Sequence, residues 1–171
     1  MKGIQMDKYI LSNKKELIQE YIFAHTMQLG SDKEYGIWKN GNPYLLFYVD
    51  KTWNPFDDVC ILGKYLYIGS ADELIIVDLD TMELTYVECD QYFGYFYNYK
   101  DLLFVATGIN VMCFLKDSSL KWKTGMLAVD GITFLGIHND SMLEISCCMD
   151  PYPSVWCDRV ISVETGAECE I

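Results

Sequence analysis

Leu62 to Glu88 reads L-G-K-Y-L-Y-I-G-S-A-D-E-L-I-I-V-D-L-D-T-M-E-L-T-Y-V-E. Short β-branched and aromatic runs alternate with turn residues, the tightest turn being Asp80-Thr81-Met82-Glu83. This pattern predicts an antiparallel meander. The stretch also recurs. A shift of 37 positions lays Leu66-Tyr67-Ile68-Gly69-Ser70 on Leu103-Phe104-Val105-Ala106-Thr107, and Leu74-Ile75-Ile76-Val77 on Val111-Met112-Cys113-Phe114. Asp80 falls on Asp117 and Gly94 on Gly131. One residue deleted from the second turn then puts Leu84-Thr85-Tyr86 on Leu120-Lys121-Trp122.

Outward from this stretch, the same rhythm covers most of the chain. A third copy opens at Gly131 to Ile137, turns at His138 to Ser141, and closes with a short strand at Glu168 to Ile171. Each copy holds four short strands in about 36 to 40 residues, close to the roughly 40–45 residues of a propeller blade. A lone unit of this kind cannot bury both faces, so neighbours must stack. The expected fold is therefore all-β: an array of three to four antiparallel four-stranded blade-like units. A partial or small β-propeller and a twisted β-sandwich both fit. A single domain over 1–171 is expected, with a degenerate N-terminal unit at 1–57 and repeats at 58–96, 97–134 and 135–171. In the N-terminal unit, Asn40-Gly41 signals a hairpin. Leu17 to Leu29 carries both a helical stripe and a run of strand formers, and the strand reading agrees better with the rest of the chain.

Totals exclude several classes. The chain has 171 residues, 51% hydrophobic and 15% aromatic, enough for a sizeable core. Its 13 basic against 25 acidic residues leave a net charge of −12, which repels nucleic acid and anionic membrane and attracts a basic partner. Apolar runs stay under ten residues, too short to span a bilayer as a helix. Met1 to Lys8 shows no secretory signal, so a cytoplasmic location and reduced thiols are expected for the seven cysteines.

No catalytic motif stands out. Gly63 and Gly69 are separated by strand residues and form no phosphate loop. Neither His25 nor His138 sits in a nucleophile motif. Cys147, Cys148 and Cys157 with His138 lack the spacing of a metal site. No cofactor is expected. Paired acids at Asp57-Asp58 and Asp72-Glu73 read as solvated loop carboxylates, although an enzyme site built from loop acids stays open.

Binding signals are richer. Connections in a meander array alternate between two rims. One rim gathers tight hairpins of ordinary turn composition. The other gathers Asp72, Glu73, Asp90, Tyr92, Asp130, Asp150, Tyr152, Trp156 and Asp158. Aromatics supply anchors and acids supply steering toward a cationic protein. The competing reading is that the rings close the ends of the core and the acids are only solvated.

Leu120-Lys121-Trp122, shortly after Lys116-Asp117, resembles the aspartate, turn, tryptophan rhythm of quinoprotein-type propeller repeats. Four further pieces appear in order: Trp53-Asn54-Pro55-Phe56-Asp57-Asp58, Tyr92-Phe93-Gly94-Tyr95-Phe96, Val129-Asp130-Gly131-Ile132, and Asp150-Pro151-Tyr152-Pro153-Ser154-Val155-Trp156. Together they resemble a family of small bacterial proteins associated with immunity to secreted toxins. Tyr152 interrupts the proline pair of that pattern. The resemblance implies a protein without chemistry of its own that occludes the active site of a toxin domain. Its acidity suits a basic nuclease as that partner. A propeller-like scaffold or ligand-binding protein without a toxin partner is the alternative.

Overall fold

The structure, a computed structural model, describes residues 7–50, 57–150, 152 and 154–169. The aromatic loop at 51–56, Pro151, Pro153 and the end of the last expected strand lie outside the described residues. The chain divides into two compact units, Met1–Trp53 and Asn54–Ile171.

The first unit contains β1 (Tyr9–Ser12), α1 (Lys15–Gln19), β2 (His25–Gln28), β3 (Lys33–Lys39) and β4 (Asn42–Val49). The sheet order is β1-β3-β4-β2. The β3–β4 hairpin turns at Asn40 and Gly41, with φ of 54° and 84°. Both residue types tolerate that left-handed backbone, which matches the twist of the strands. Ile37, Leu45, Phe47 and Val49 are buried, and Tyr35 stacks on Phe47 at 5.1 Å. The stretch 17–29 is split. Its beginning belongs to a five-residue helix that buries Ile18, and only His25–Gln28 is strand. That strand runs parallel to β4, so this sheet is mixed where an antiparallel one is expected.

The second unit is three four-stranded antiparallel sheets. The first sheet is β5 (Asp57–Leu62), β6 (Tyr65–Ser70), β7 (Glu73–Asp78) and β8 (Leu84–Glu88). The second is β9 (Phe93–Tyr99), β10 (Leu102–Thr107), β11 (Val111–Leu115) and β12 (Leu120–Lys123). The third is β13 (Ile132–His138), β14 (Met142–Cys148), β15 (Trp156–Ser162) and β16 (Glu168–Cys169). The chain is thus all-β in blade-like units. Sequence borders at 96/97 and 134/135 fall inside β9 and β13, because the leading strand of each sheet starts earlier than its turn suggests.

The 37-residue shift holds at the level of pairing. Leu66 opposes Val77 in the first sheet, and Leu103 opposes Phe114 in the second. The third sheet departs from the shift: β13 carries a bulge between Phe134 and Gly136, and the connection from β14 to β15 spans 149–155 where that from β10 to β11 spans only 108–110.

Sheets pack through two seams. Tyr67, Leu74, Ile76 and Cys89 of the first sheet meet Phe93, Leu103, Val105, Met112 and Phe114 of the second. Phe104, Ala106, Val111 and Cys113 of the second meet Ile132, Leu143, Ile145, Cys147 and Ile161 of the third. Alternate residues of β10 therefore face opposite neighbours. A central sheet buried on both sides needs the near-continuous apolar run Leu102–Ala106.

Candidate functional site: an acidic rim of the second unit

Connections at one end of the three sheets are joined by backbone hydrogen bonds. Phe93 N–H donates to the Ala71 carbonyl at 2.6 Å, and Cys89 N–H to Asp72 at 2.8 Å. Gly108 N–H then reaches Tyr92, Gly131 N–H reaches Gly108, and Cys148 N–H reaches Gly131, at 2.9, 2.7 and 2.9 Å. This relay fixes the connections bearing Asp72, Asp90, Tyr92 and Asp130 against one another, at the end of the sheets where the connection from Cys148 to Trp156 begins.

The nine predicted residues divide by what they touch. Asp90 is committed to the fold. Lys123 pairs with it at 2.8 Å, and the Asn110 side-chain amide donates to the same carboxylate oxygen. The Lys123 ammonium, against some loss of solvation and with help from Asn110, holds the Asp90 carboxyl below its usual range. Asn110 is itself buried and knitted to Thr107. Tyr92 donates its hydroxyl to Asp130 at 3.1 Å. Burial, then the adjacent Asp130 carboxylate, pushes that phenol well above its ordinary value. Its ring is half-buried, beside Gly108 and Gly131.

Asp150 organises its own loop, accepting from Tyr152 N–H at 2.9 Å and Ser154 Oγ at 3.1 Å. Such turns are a common use of aspartate. Asp158, exposed on β15, accepts from Ser146 Oγ at 2.7 Å. Asp72 and Glu73 are both exposed at the β6–β7 turn. Glu73 lies directly opposite Glu88 on β8, a like-charge pairing that works against the sheet. Tyr152 is 81% exposed and Trp156 45%.

The outward-facing part of the rim is therefore Asp72 and Glu73 at one end, and Tyr152, Trp156 and Asp158 at the other. Met126 (73% exposed) and Val155 (49%) add apolar surface that sequence reasoning missed. Met126 sits in the connection Thr124 to Asp130, where it marks no motif in the sequence. Lys123 and Asn110 were missed as well, since nothing local marks them as partners of Asp90.

Among the described residues no group of His, Cys, Asp and Glu is arranged to hold a metal ion, and no helix is long and apolar enough to cross a membrane. The first unit carries a polar cleft of about 330 Å³ lined by Asn13, Lys15, Ser31, Asp32, Glu34 and Tyr48.

No family model and no curated protein matches the chain. Among solved structures it is similar to the computationally designed protein Ika4, with 10% identity, TM-score 0.48, and 70% of this chain against 75% of that one. It is also similar to the N-terminal domain of Nup159, with 12% identity, TM-score 0.47, and 83% against 39%. A third is the dihydro-heme d1 dehydrogenase NirN in complex with DHE, with 12% identity, TM-score 0.42, and 80% against 40%. The chain thus spans about two fifths of the latter two, and at these identities none speaks to what it binds.

Proposed function

We propose that this chain is an immunity protein: a binding module without chemistry that docks the acidic rim of its second unit on a cationic toxin domain. The partner is a nuclease, whose active site must be cationic to hold phosphate, and docking occludes that site. One observation carries the reading. Exposed Asp72 and Glu73 at one end of the rim, and exposed Tyr152, Trp156 and Asp158 at the other, supply charge and anchors for such docking. The resemblance of the Trp53, Tyr92, Val129 and Asp150 segments to toxin-immunity proteins supports a toxin domain as the partner.

The test uses the full chain and the basic C-terminal domain of a secreted toxin encoded beside it. Association followed at about 0.02 and 0.5 M salt is expected to slow by tenfold or more at the higher salt, since exposed charges are screened beyond roughly 4 Å there. The double variant Asp72→Lys, Glu73→Lys is expected to slow association further with the fold unchanged. A rate indifferent to both removes the proposal.

A further inference from the structure

We infer that Cys147 and Cys157 are a modification site: a cross-strand thiol pair that closes reversibly to a disulfide by exchange with a small-molecule disulfide such as oxidised glutathione. The inference concerns the third sheet alone and stands whether or not the rim docks a protein.

Register carries it. Cys147 of β14 and Cys157 of β15 oppose each other directly on antiparallel strands. Opposed residues share a face, with Cβ atoms about 4.5–5.5 Å apart. Met149 N–H donates to the Val155 carbonyl. The pair two residues further in is therefore also of the hydrogen-bonded kind, with Cα atoms about 5.5 Å apart. Disulfides span about 4.4–6.8 Å between Cα atoms but hold Cβ atoms about 3.5–4.5 Å apart, so the two strands close by about 1 Å as the bond forms, and the strain makes it readily reduced. Cys148 points to the other face, where its thiol donates to the Asp150 carbonyl at 3.1 Å.

The two thiols differ in access, which orders the chemistry. Cys157 is exposed, while Cys147 is fully buried in the seam with the second sheet. Burial pushes the Cys147 thiol up to about 11, with Arg159 pulling the other way. Cys157 thus meets the reagent first. Its thiolate attacks one sulfur of oxidised glutathione and expels a glutathione thiolate, leaving a mixed disulfide. Cys147 then loses its proton and attacks the Cys157 sulfur, expelling the second glutathione. Two protein thiols are oxidised to one disulfide, one glutathione disulfide is reduced to two thiols, and the two protons end on the departing sulfurs. The new bond ties β14 to β15 at the base of the loop bearing Tyr152.

The full chain is equilibrated in glutathione buffers of increasing oxidation, quenched with a thiol alkylator, cleaved on the N-terminal side of Asp150 and mapped by mass. The expected product is a Cys147–Cys157 link, about 2 mass units lighter than the dithiol and reversed by dithiothreitol. Cys157→Ser, at an exposed position, abolishes it, and Cys148→Ser leaves it intact. Cys147→Ala, chosen to keep the core apolar, retains glutathione on Cys157 at a level on the order of tenfold above wild type. A wild-type protein that holds the Cys157 adduct without forming the link overturns the inference. A bond from Cys157 to Cys148 or Cys169 instead also overturns it.

Discussion

At Gly69 the first seam allows no side chain. A Cβ there comes within 2.2 Å of the Phe93 ring, which is itself fully buried and has no room to retreat. Gly69→Ala is therefore expected to cost about 1–3 kcal/mol, as overpacking does, read as a lower urea midpoint at constant slope. Gly125→Ala, with nothing within 4 Å of the new Cβ, is the control and should stay within about 0.5 kcal/mol. Asp90 makes a different prediction. Its folded carboxyl titrates below the usual value because of Lys123. A depressed carboxylate contributes stability above its unfolded pKa of about 3.9, lost as pH falls through the lower folded value. Wild type should exceed Asp90→Asn in stability at neutral pH, and the two should converge in acid. Added salt should narrow the gap, since the pair is partly exposed. Residue types alone indicated that six acids and three aromatics gather at this end of the sheets. They did not reveal that Asp90, Tyr92 and Asp130 are spent on the fold.

The second and third sheets are held by more than apolar area. Trp122 of β12 donates its indole N–H to the Val163 carbonyl at 3.1 Å, and its ring lies against Gly166 in the β15–β16 turn. Gly166 has φ of 71°, and a Cβ there would meet the indole at 2.7 Å. Trp122→Phe keeps most of the ring but leaves that carbonyl without its donor. A loss of about 1 kcal/mol is expected, the net worth of such a bond, measured by chemical unfolding. Elements of the second unit were readable because each is set by nearby residues: β-formers in runs, punctuated by turn residues at positions such as Met82, Lys100 and Gly63 with positive φ. The stretch 17–29 was not readable in that way. Five residues of helix are too few for periodicity to declare itself. Burial of Ile18 against the rest of the unit decides the matter. Nor does alternation tell a strand which neighbour it will have, so the parallel pairing of β2 with β4 left no trace in the sequence.

Across the whole molecule, 25 acids against 13 bases set a field of one sign. Several ion pairs have both partners exposed, as Lys100–Asp140 and Lys116–Asp101 do. Exposed pairs contribute about 0–1 kcal/mol each. Self-repulsion is then the larger electrostatic effect, and screening relieves it. The thermal midpoint at neutral pH is expected to rise as salt increases from about 0.02 to 0.3 M; a fall would mean that the ion pairs dominate. Sequence alone determined the all-β class, the four-strand repeat and the ends at which its connections gather, because β-propensity, turn geometry and the hydrophobic alternation are local. Tertiary structure alone decided which rim carboxylates face outward. Asp90 meets Lys123 and Asn110, and Tyr92 meets Asp130, across separations of 20 to 38 positions. Only the register within sheets and the packing between them can bring such distant groups together.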